Sequence, residues 1–325
     1  MGASHARAYH DIEDFEIAGL VAPSGRRRNP LAAELGGVPV FDDAERAIEE
    51  TAPDAVSINT YPDTHARYAE LALDAGAHVF VEKPLAATVA DARRLVARAR
   101  RADRVVVVGY ILRHHPSWSR FVDVARTLGK PLVMRMNLNQ QSSGAEWETH
   151  RQLMQTMSPI VDCGVHYVDI MCQMTESKPV RCHAIGARLT EEIAETMYNY
   201  GHLQVVFEDG SVGWYEAGWG PMISETAYFV KDVIGPLGSV SIVGAGESGS
   251  SDIDSHTKTN RLLIHRTTAA EGAGGRSDSV EDMTDEPDHD ELCRREQQYF
   301  LQAIRGDVTV DRHMEDAVRS LEIVL

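Results

Sequence analysis

Short, wholly apolar runs alternate with amphipathic helical stretches over the first third of the chain. Val79-Phe80-Val81 and Val105-Val106-Val107-Val108 are too short for helices and too apolar for solvated faces, so they read as interior strands of a parallel sheet. Between them Val89, Ala92, Leu95, Val96 and Ala99 recur at helical spacing, behind a capping pair formed by Thr88 and Asp91. Upstream, Ala66, Ala69 and Leu73 mark a helix over Asp63 to Asp74, which Gly76 ends in the left-handed conformation. Phe15 to Val21, Val38 to Phe41 and Ala55 to Asn59 are further strands. Helices are expected near Met1 to Tyr9, from an Asn29 cap and first-turn Pro30 to Gly36-Gly37, and from Asp43 to Thr51. Strand and helix alternate with short links, which means an α/β domain with a doubly wound parallel sheet.

Beyond about residue 115 the pattern changes. Leu132 to Leu138 alternates apolar and polar positions, Ser158 to Gln173 reads as one helix, and a series of strand-like runs follows. The runs are Val180 to Leu189, His202 to Phe207, Ser211 to Ala217, Tyr228 to Ile234, Ser239 to Val243 and Leu262 to His265. Glu208-Asp209-Gly210 and Gly235-Pro236-Leu237-Gly238 punctuate them as hairpins. The expectation is an α+β domain with a large, mostly antiparallel open sheet and one prominent helix. Ala245 to Asp254 and Ala270 to Asp290 read as polar surface loops, the second carrying an acidic cluster from Glu281 to Asp290. Helices near Asp290 to Ile304 and Met314 to Leu325 close the chain. The division expected is residues 1–115 and 116–325, with the last helix packing back on the first domain.

Composition narrows the functional classes. A net charge of −17 opposes nucleic acid or anionic membrane as a partner, and no apolar run approaches a membrane span or a signal segment. Cys163, Cys172, Cys182 and Cys293 form no CxxC pair, as expected of reduced thiols in a cytoplasmic protein.

Candidate chemistry sits at two places. Lys83 follows the strand Val79 to Val81, and ligands of open α/β sheets bind outside the carboxyl ends of the strands. Asp162 and His166 stand four apart on a predicted helix and share a face. An imidazole suits proton transfer at an alcohol oxygen, a carboxylate can orient it, and an ammonium can stabilise charge developing on that oxygen. Taken alone, the Asp-x-x-x-His spacing also reads as a surface pair or a satisfied core histidine. No metal is expected there, because a dedicated site would want a third or fourth ligand at matching spacing. Tyr110 and Arg113 follow the Val105 to Val108 strand and suit cofactor, substrate or linker roles. Trp147, His150, Tyr167 and Trp219 suit either sugar stacking or core packing.

Ala75-Gly76-Ala77-His78-Val79 with Glu82-Lys83-Pro84 resembles the AGKHV…EKP pattern of the glucose–fructose oxidoreductase / inositol dehydrogenase / rhizopine-catabolism (Gfo/Idh/MocA) family. Asn59-Thr60-Tyr61-Pro62-Asp63-Thr64-His65 is similar to its TP…H element, Val108-Gly109 through Arg113 to Pro116 to its VG…R..P element, and Asp162-Cys163-Gly164-Val165-His166 to its DxGxH element. The resemblance implies a Rossmann domain, a sheet domain that makes dimers or tetramers through its open face, and NAD(P)-dependent chemistry on sugars or polyols. It also implies Lys83, Asp162 and His166 as catalytic residues, and these three, with Tyr110 and Trp147 from their positions in the sequence, are the candidates toward the substrate. Gly2, Thr60, Tyr61, Pro62, His65, Glu82, Lys83 and Arg113 would serve the cofactor.

One element departs from the pattern. The nucleotide fingerprint is a strand followed by G-x-G-x-x-G, and here only its last glycine, Gly2, has a counterpart. The expectation is a clipped chain, and a protein truly lacking that central strand should show a gap between its neighbours. At the end of the next strand Pro23-Ser24-Gly25-Arg26-Arg27 replaces the acid that would hold a ribose 2′-hydroxyl. Ser24, Arg26 and Arg27 suit a 2′-phosphate, which favours NADP over NAD, although the same residues read as a solvated basic turn. The function expected is hydride transfer between nicotinamide and a secondary alcohol or ketone of a sugar, cyclitol or polyol. Its rivals on the same fold are redox-assisted glycoside cleavage with retained NAD, and a non-catalytic sugar or nucleotide sensor.

Overall fold

Among the described residues the parallel strands of the first part of the chain form two separate ladders. The computed structural model describes residues 1–224, 230–243, 257, 259–267 and 277–325. These divide into one unit of Met1–Ile111 with Asp288–Val318 and a second of Leu112–Pro287 with Arg319–Leu325.

The first unit runs α1 (Gly2–Asp11), β1 (Leu20–Val21), α2 (Gly25–Glu34), β2 (Val40–Phe41), α3 (Ala44–Thr51), β3 (Ala55–Ile58), α4 (Pro62–Asp74), β4 (His78–Val81), α5 (Val89–Ala102) and β5 (Val106–Val108). Helix α10 (His289–Arg305) and most of α11 (Asp311–Val324) complete it. β1 pairs with β2, and β3-β4-β5 form a separate sheet, both parallel. No ladder joins the two among the described residues. Val79, Phe80 and Val81 are fully buried, so β4 is covered on both faces. Gly76 closes α4 with φ +79°, and the Thr88 hydroxyl accepts the Asp91 amide at the start of α5.

Two local expectations fail here. The Phe15 to Val21 run is a strand only at Leu20–Val21. Helix α2 begins at Gly25, not at Asn29-Pro30, because the Ser24 hydroxyl accepts the Arg26 amide and caps the helix five residues earlier. Pro30 therefore lies inside the helix.

The second unit contains α6 (Pro116–Arg126), β6 (Val133–Gln141), α7 (Gly144–Leu153), α8 (Pro159–Asp162), α9 (Gly164–Thr175) and seven more strands. These are β7 (Pro179–Ala187), β8 (Tyr200–Phe207), β9 (Val212–Gly220), β10 (Lys231–Gly235), β11 (Gly238–Ile242), β12 (Arg261–Arg266) and β13 (Ser277–Asp282). The eight strands lie in the order β13-β12-β11-β10-β6-β9-β8-β7, all neighbours antiparallel except β6 and β9. Alternate positions such as Met134, Met136, Leu203, Val205, Tyr215 and Val240 are buried, and α6 and α9 pack on the sheet. Strand β7 is exposed along nearly its whole length, and Val180, Ile185, Val212 and Val280 leave apolar side chains uncovered.

The predicted mostly antiparallel sheet is therefore present, with more helix than the single one expected. α6 and α7 escaped the sequence reading, although Trp118, Phe121, Val122 and Ala125 line the buried side of α6 at helical spacing. The acidic stretch read as loop contains β13, an edge strand with one apolar residue, Val280, among charges that pair with neighbours. Arg261 meets Asp282, Arg120 meets Glu281, and His265 meets Asp278. Charged edge strands resist further pairing, and that composition hides them from an apolar-alternation test. Tyr228, the expected loop 245–254 and residues 270–276 lie outside the described residues.

Candidate active site

In the first unit the predicted residues gather at the carboxyl ends of β3, β4 and β5. His65, on α4, is fully buried and ties two of these ends together. Its Nδ1 lies 2.7 Å from the Pro84 carbonyl oxygen and its Nε2 lies 3.0 Å from that of Thr60. Burial pushes the His65 pKa down from the ordinary value, against these two carbonyls. Glu82 points inward, with Oε1 2.8 Å from His5 Nε2 and Oε2 accepting the Lys83 amide at 3.1 Å. Both residues are held by protein groups, so their direct effect is to fix the loops that carry Thr60 and Lys83. Lys83 itself is half-buried and precedes Pro84 through a cis peptide. Thr60 and Tyr61 are exposed, and Pro62 is buried at the first turn of α4. Tyr110 is only 1% exposed, its ring tilted against that of His313, which makes it a packing residue of this unit.

Two features of this unit fit a dinucleotide. Helix α1 starts at Gly2 without a side-chain cap, and a Cβ on Gly2 would stand 3.4 Å from the Asn59 Cβ. Uncapped amides at a helix start suit a pyrophosphate. Arg26 and Arg27 are exposed in the first turn of α2. Arg28, which follows them, is committed to structure, donating to the carbonyls of Ala22 and Phe41 at 2.7 and 2.5 Å.

In the second unit Asp162 and His166 do not share one regular helix. Cys163 ends α8 and begins α9, with the His166 amide bonded to the Cys163 carbonyl three residues back. Gly164 allows the close approach that follows: a Cβ there would lie 3.1 Å from the Tyr215 ring. Asp162 and His166 are both half-buried. A connected run of polar and aromatic groups starts at Asp162. Cys163 Sγ lies 3.6 Å from Asp162 Oδ2 and 3.7 Å from Gln140 Oε1, which also accepts the Trp219 indole N–H at 2.6 Å. The His150 ring stacks on Trp219 with centroids 4.3 Å apart and planes 7° from parallel. Trp219 is 1% exposed and one of its faces is covered by His150, so the half-buried His150 is the member of that pair better placed for a ligand. Trp147 is buried and donates to Glu192 at 3.3 Å. Tyr167 stacks on Tyr215 inside the core, and burial raises the pKa of both phenols.

Arg113, expected at the cofactor, makes a two-pronged pair with Asp169, with Nε 2.7 Å from Oδ2 and Nη2 on Oδ1. Asp169 is 1% exposed and also accepts from Gln173 at 2.9 Å. Gln140 and Asp169 escaped the sequence reading. Asp169 had a usable signal, lying three residues past His166 on the same helix face.

Comparison with known proteins adds what geometry within each unit cannot. Residues 1–110 match the family described as "Oxidoreductase family, NAD-binding Rossmann fold" (GFO_IDH_MocA), and residues 124–230 match the "GFO/IDH/MocA C-terminal domain". UDP-N-acetylglucosamine 3-dehydrogenase of Acidithiobacillus ferrooxidans is 27% identical over 202 residues, which are 60% of this chain and 58% of that protein. Inositol 2-dehydrogenase 1 of Saccharopolyspora erythraea is 30% identical over 189 residues, 56% of this chain and 53% of that one. The chain thus spans little more than half the length of these relatives. A solved structure of the Acidithiobacillus enzyme superposes with a TM-score of 0.77 at 22% identity, covering 100% of this chain and 92% of that one, which speaks for the fold. The chain belongs to the GFO/IDH/MocA family of NAD-binding Rossmann oxidoreductases.

Proposed function

We propose that this protein is an NAD(P)-dependent oxidoreductase acting on a secondary alcohol, or the corresponding ketone, of a sugar, cyclitol or related polyol. The observation that carries the reading is the half-buried pair Asp162 and His166 at the α8–α9 junction, with Asp162 linked through Cys163 to Gln140, Trp219 and His150. An imidazole, a carboxylate, an amide and an aromatic face are the groups that bind a hydroxylated ring and move a proton at one of its oxygens. Relatives named for oxidation of UDP-N-acetylglucosamine, inositol and D-glucosides support the substrate class.

The nicotinamide, when bound, gives or takes the hydride. His166 exchanges the alcohol proton, and Asp162 orients the ring or holds a neighbouring hydroxyl. Lys83 stabilises negative charge on the reacting oxygen. Arg26 and Arg27, exposed beside a Ser24 whose oxygen already caps α2, favour NADP. The uncovered apolar positions of the large sheet, Val180, Ile185, Val212 and Val280 among them, support assembly into a homo-oligomer through that face.

Turnover of NADP⁺ and NAD⁺ against a panel of nucleotide sugars, cyclitols and polyols is the first test. On the substrate so found, Lys83→Ala and His166→Ala should each lower turnover by on the order of 10² or more, with nucleotide affinity nearly unchanged. Either variant keeping a near wild-type rate refutes the role given to that residue. Cleavage of a glycoside without net change in nicotinamide absorbance would replace the dehydrogenase reading by the redox-assisted one.

A further inference from the structure

Helices α1 and α10 pack together in the first unit and enclose a cluster that the proposed reaction does not use. His5 and Cys293 are fully buried and Glu296 is 1% exposed. One candidate ligand atom from each lies within 4.8 Å of the other two. His289, one turn before Cys293 on α10, brings its Nδ1 to 3.7 Å from the Cys293 sulfur. A second observation marks the cluster as incomplete. Glu296 Oε1 is buried without a hydrogen-bond partner, and so is the side-chain oxygen of the adjacent Gln297. Buried polar atoms are almost always satisfied, and a carboxyl oxygen left alone beside an imidazole and a thiol is a donor without a target.

We propose that His5, Cys293 and Glu296 form a buried binding site for one zinc-class divalent cation, with His289 in reach as the fourth ligand. Imidazole nitrogen, thiolate sulfur and carboxylate oxygen are the donor types zinc takes, and four-coordinate closure suits a structural rather than a catalytic ion. Glu82 already supplies the outer support such a site needs. It holds His5 through Nε2 at 2.8 Å, which directs the lone pair of Nδ1 away from Glu82. That lone pair now accepts from Gln297 Nε2 at 2.8 Å, so the amide turns aside when the cation enters. Zinc ligands at roughly 2.0–2.3 Å from the ion stand closer together than the cluster does, so the site contracts by about an ångström on binding. Burial and the Glu82 charge hold Glu296 protonated, and burial also raises the Cys293 thiol. His289, Cys293 and Glu296 stand at helical spacing on α10, and His5 is brought to them from α1, 284 residues before His289.

Cobalt(II) titration of the full chain tests the proposal. The expected result is one cobalt per chain, with a thiolate-to-cobalt charge-transfer band and the strong visible absorption of a tetrahedral site. Cys293→Ser should remove the charge-transfer band while circular dichroism shows a folded protein. Glu296→Gln and Glu82→Gln should keep the band but weaken binding by about 10- to 100-fold, as losses of a ligand and of its outer support do. If cysteine replacement prevents folding, the same readout on Glu296→Gln decides. A folded wild-type protein that shows no band at saturating cobalt overturns the site. A band that survives in Cys293→Ser places the ion on another thiol and overturns it equally.

Discussion

Phe80 in β4 and Ile185 in β7 are both large apolar residues in the middle of strands, and they live under opposite conditions. Phe80 is completely buried, while Ile185 is 60% exposed. In the first unit β4 and β5 are covered on both faces from Val79 to Val81 and from Val106 to Val108, so their sequence there is unbroken apolar. The second unit covers one face of its sheet with α6 and α9, and the other face keeps apolar residues that its own fold does not use. Stability resides in the first kind of position, and the second kind is available for association. Phe80→Ala should therefore destabilise by about 3–5 kcal/mol, the range for emptying a large aromatic site in a packed core. Ile185→Ala should change unfolding of the isolated chain by no more than about 0.5 kcal/mol. Chemical denaturation of both variants checks the contrast, and a large loss from Ile185→Ala at low protein concentration would break it.

The second unit also holds a buried ion pair. Asp169 and Arg113 are joined at two points, with the carboxylate buried and the guanidinium only 15% exposed. Removing one partner of such a pair leaves the other charged and uncompensated. Asp169→Asn should cost about 3 kcal/mol, close to the smaller end of the Phe80 effect. Replacing the pair together, as Arg113→Met with Asp169→Leu, should recover much of that loss. Failure of the double variant to recover would show that the pair is held by its geometry rather than by charge matching.

A smaller effect separates the two units by ligand. On the proposed NADP reading, Arg26→Ala with Arg27→Ala should lower the affinity for NADP⁺ by about tenfold or more and leave that for NAD⁺ nearly unchanged, because the guanidinium groups would then meet only the 2′-phosphate. Binding titrations with both nucleotides measure it. Equal weakening of both would mean that the arginines act through the general field of a chain carrying −17 charges.

Legibility followed the same division. The strands β3, β4 and β5 and their helices could be placed to within a residue or two, most plainly β4 and β5, where burial on both faces forces apolar runs. Gly76, Thr88 and Lys83 could be read because a backbone conformation, a cap and a strand end each have a local signal. The second unit yielded its strand runs but not α6, whose start coincides with the Pro116 that closes a motif, nor β13, whose charges mask a strand. The α8–α9 break at Cys163 was hidden as well, since two helices meeting end to end preserve helical spacing across Asp162 and His166. Contacts such as His5 with Glu82, Arg113 with Asp169 and Gln140 with Trp219 depend on tertiary packing, and no local pattern encodes them.

His65 gives the smallest effect and the sharpest sign. Both of its ring nitrogens face carbonyl oxygens, and a neutral imidazole has one proton to offer them. The shorter contact, to Pro84, is the better claim on that proton. Two influences then compete: the second carbonyl favours a charged ring, while full burial opposes charge. Burial is the larger, so the folded pKa lies below the ordinary histidine value of 6.5. With the folded pKa depressed, the unfolded chain binds more protons than the folded one over the interval below about 6.5. Stability contributed by His65 is thus present above that pH and is lost as pH falls through the interval. His78, His202 and His289 are shifted the same way, so the wild-type curve alone cannot isolate it. The difference between wild type and His65→Phe, followed by thermal unfolding from pH 8 to pH 5, removes the others. That difference should shrink on acidification. If it grows instead, the ring is held as an imidazolium by its two carbonyls, and hydrogen bonding rather than burial governs the loop that carries Thr60 beside the one that carries Lys83.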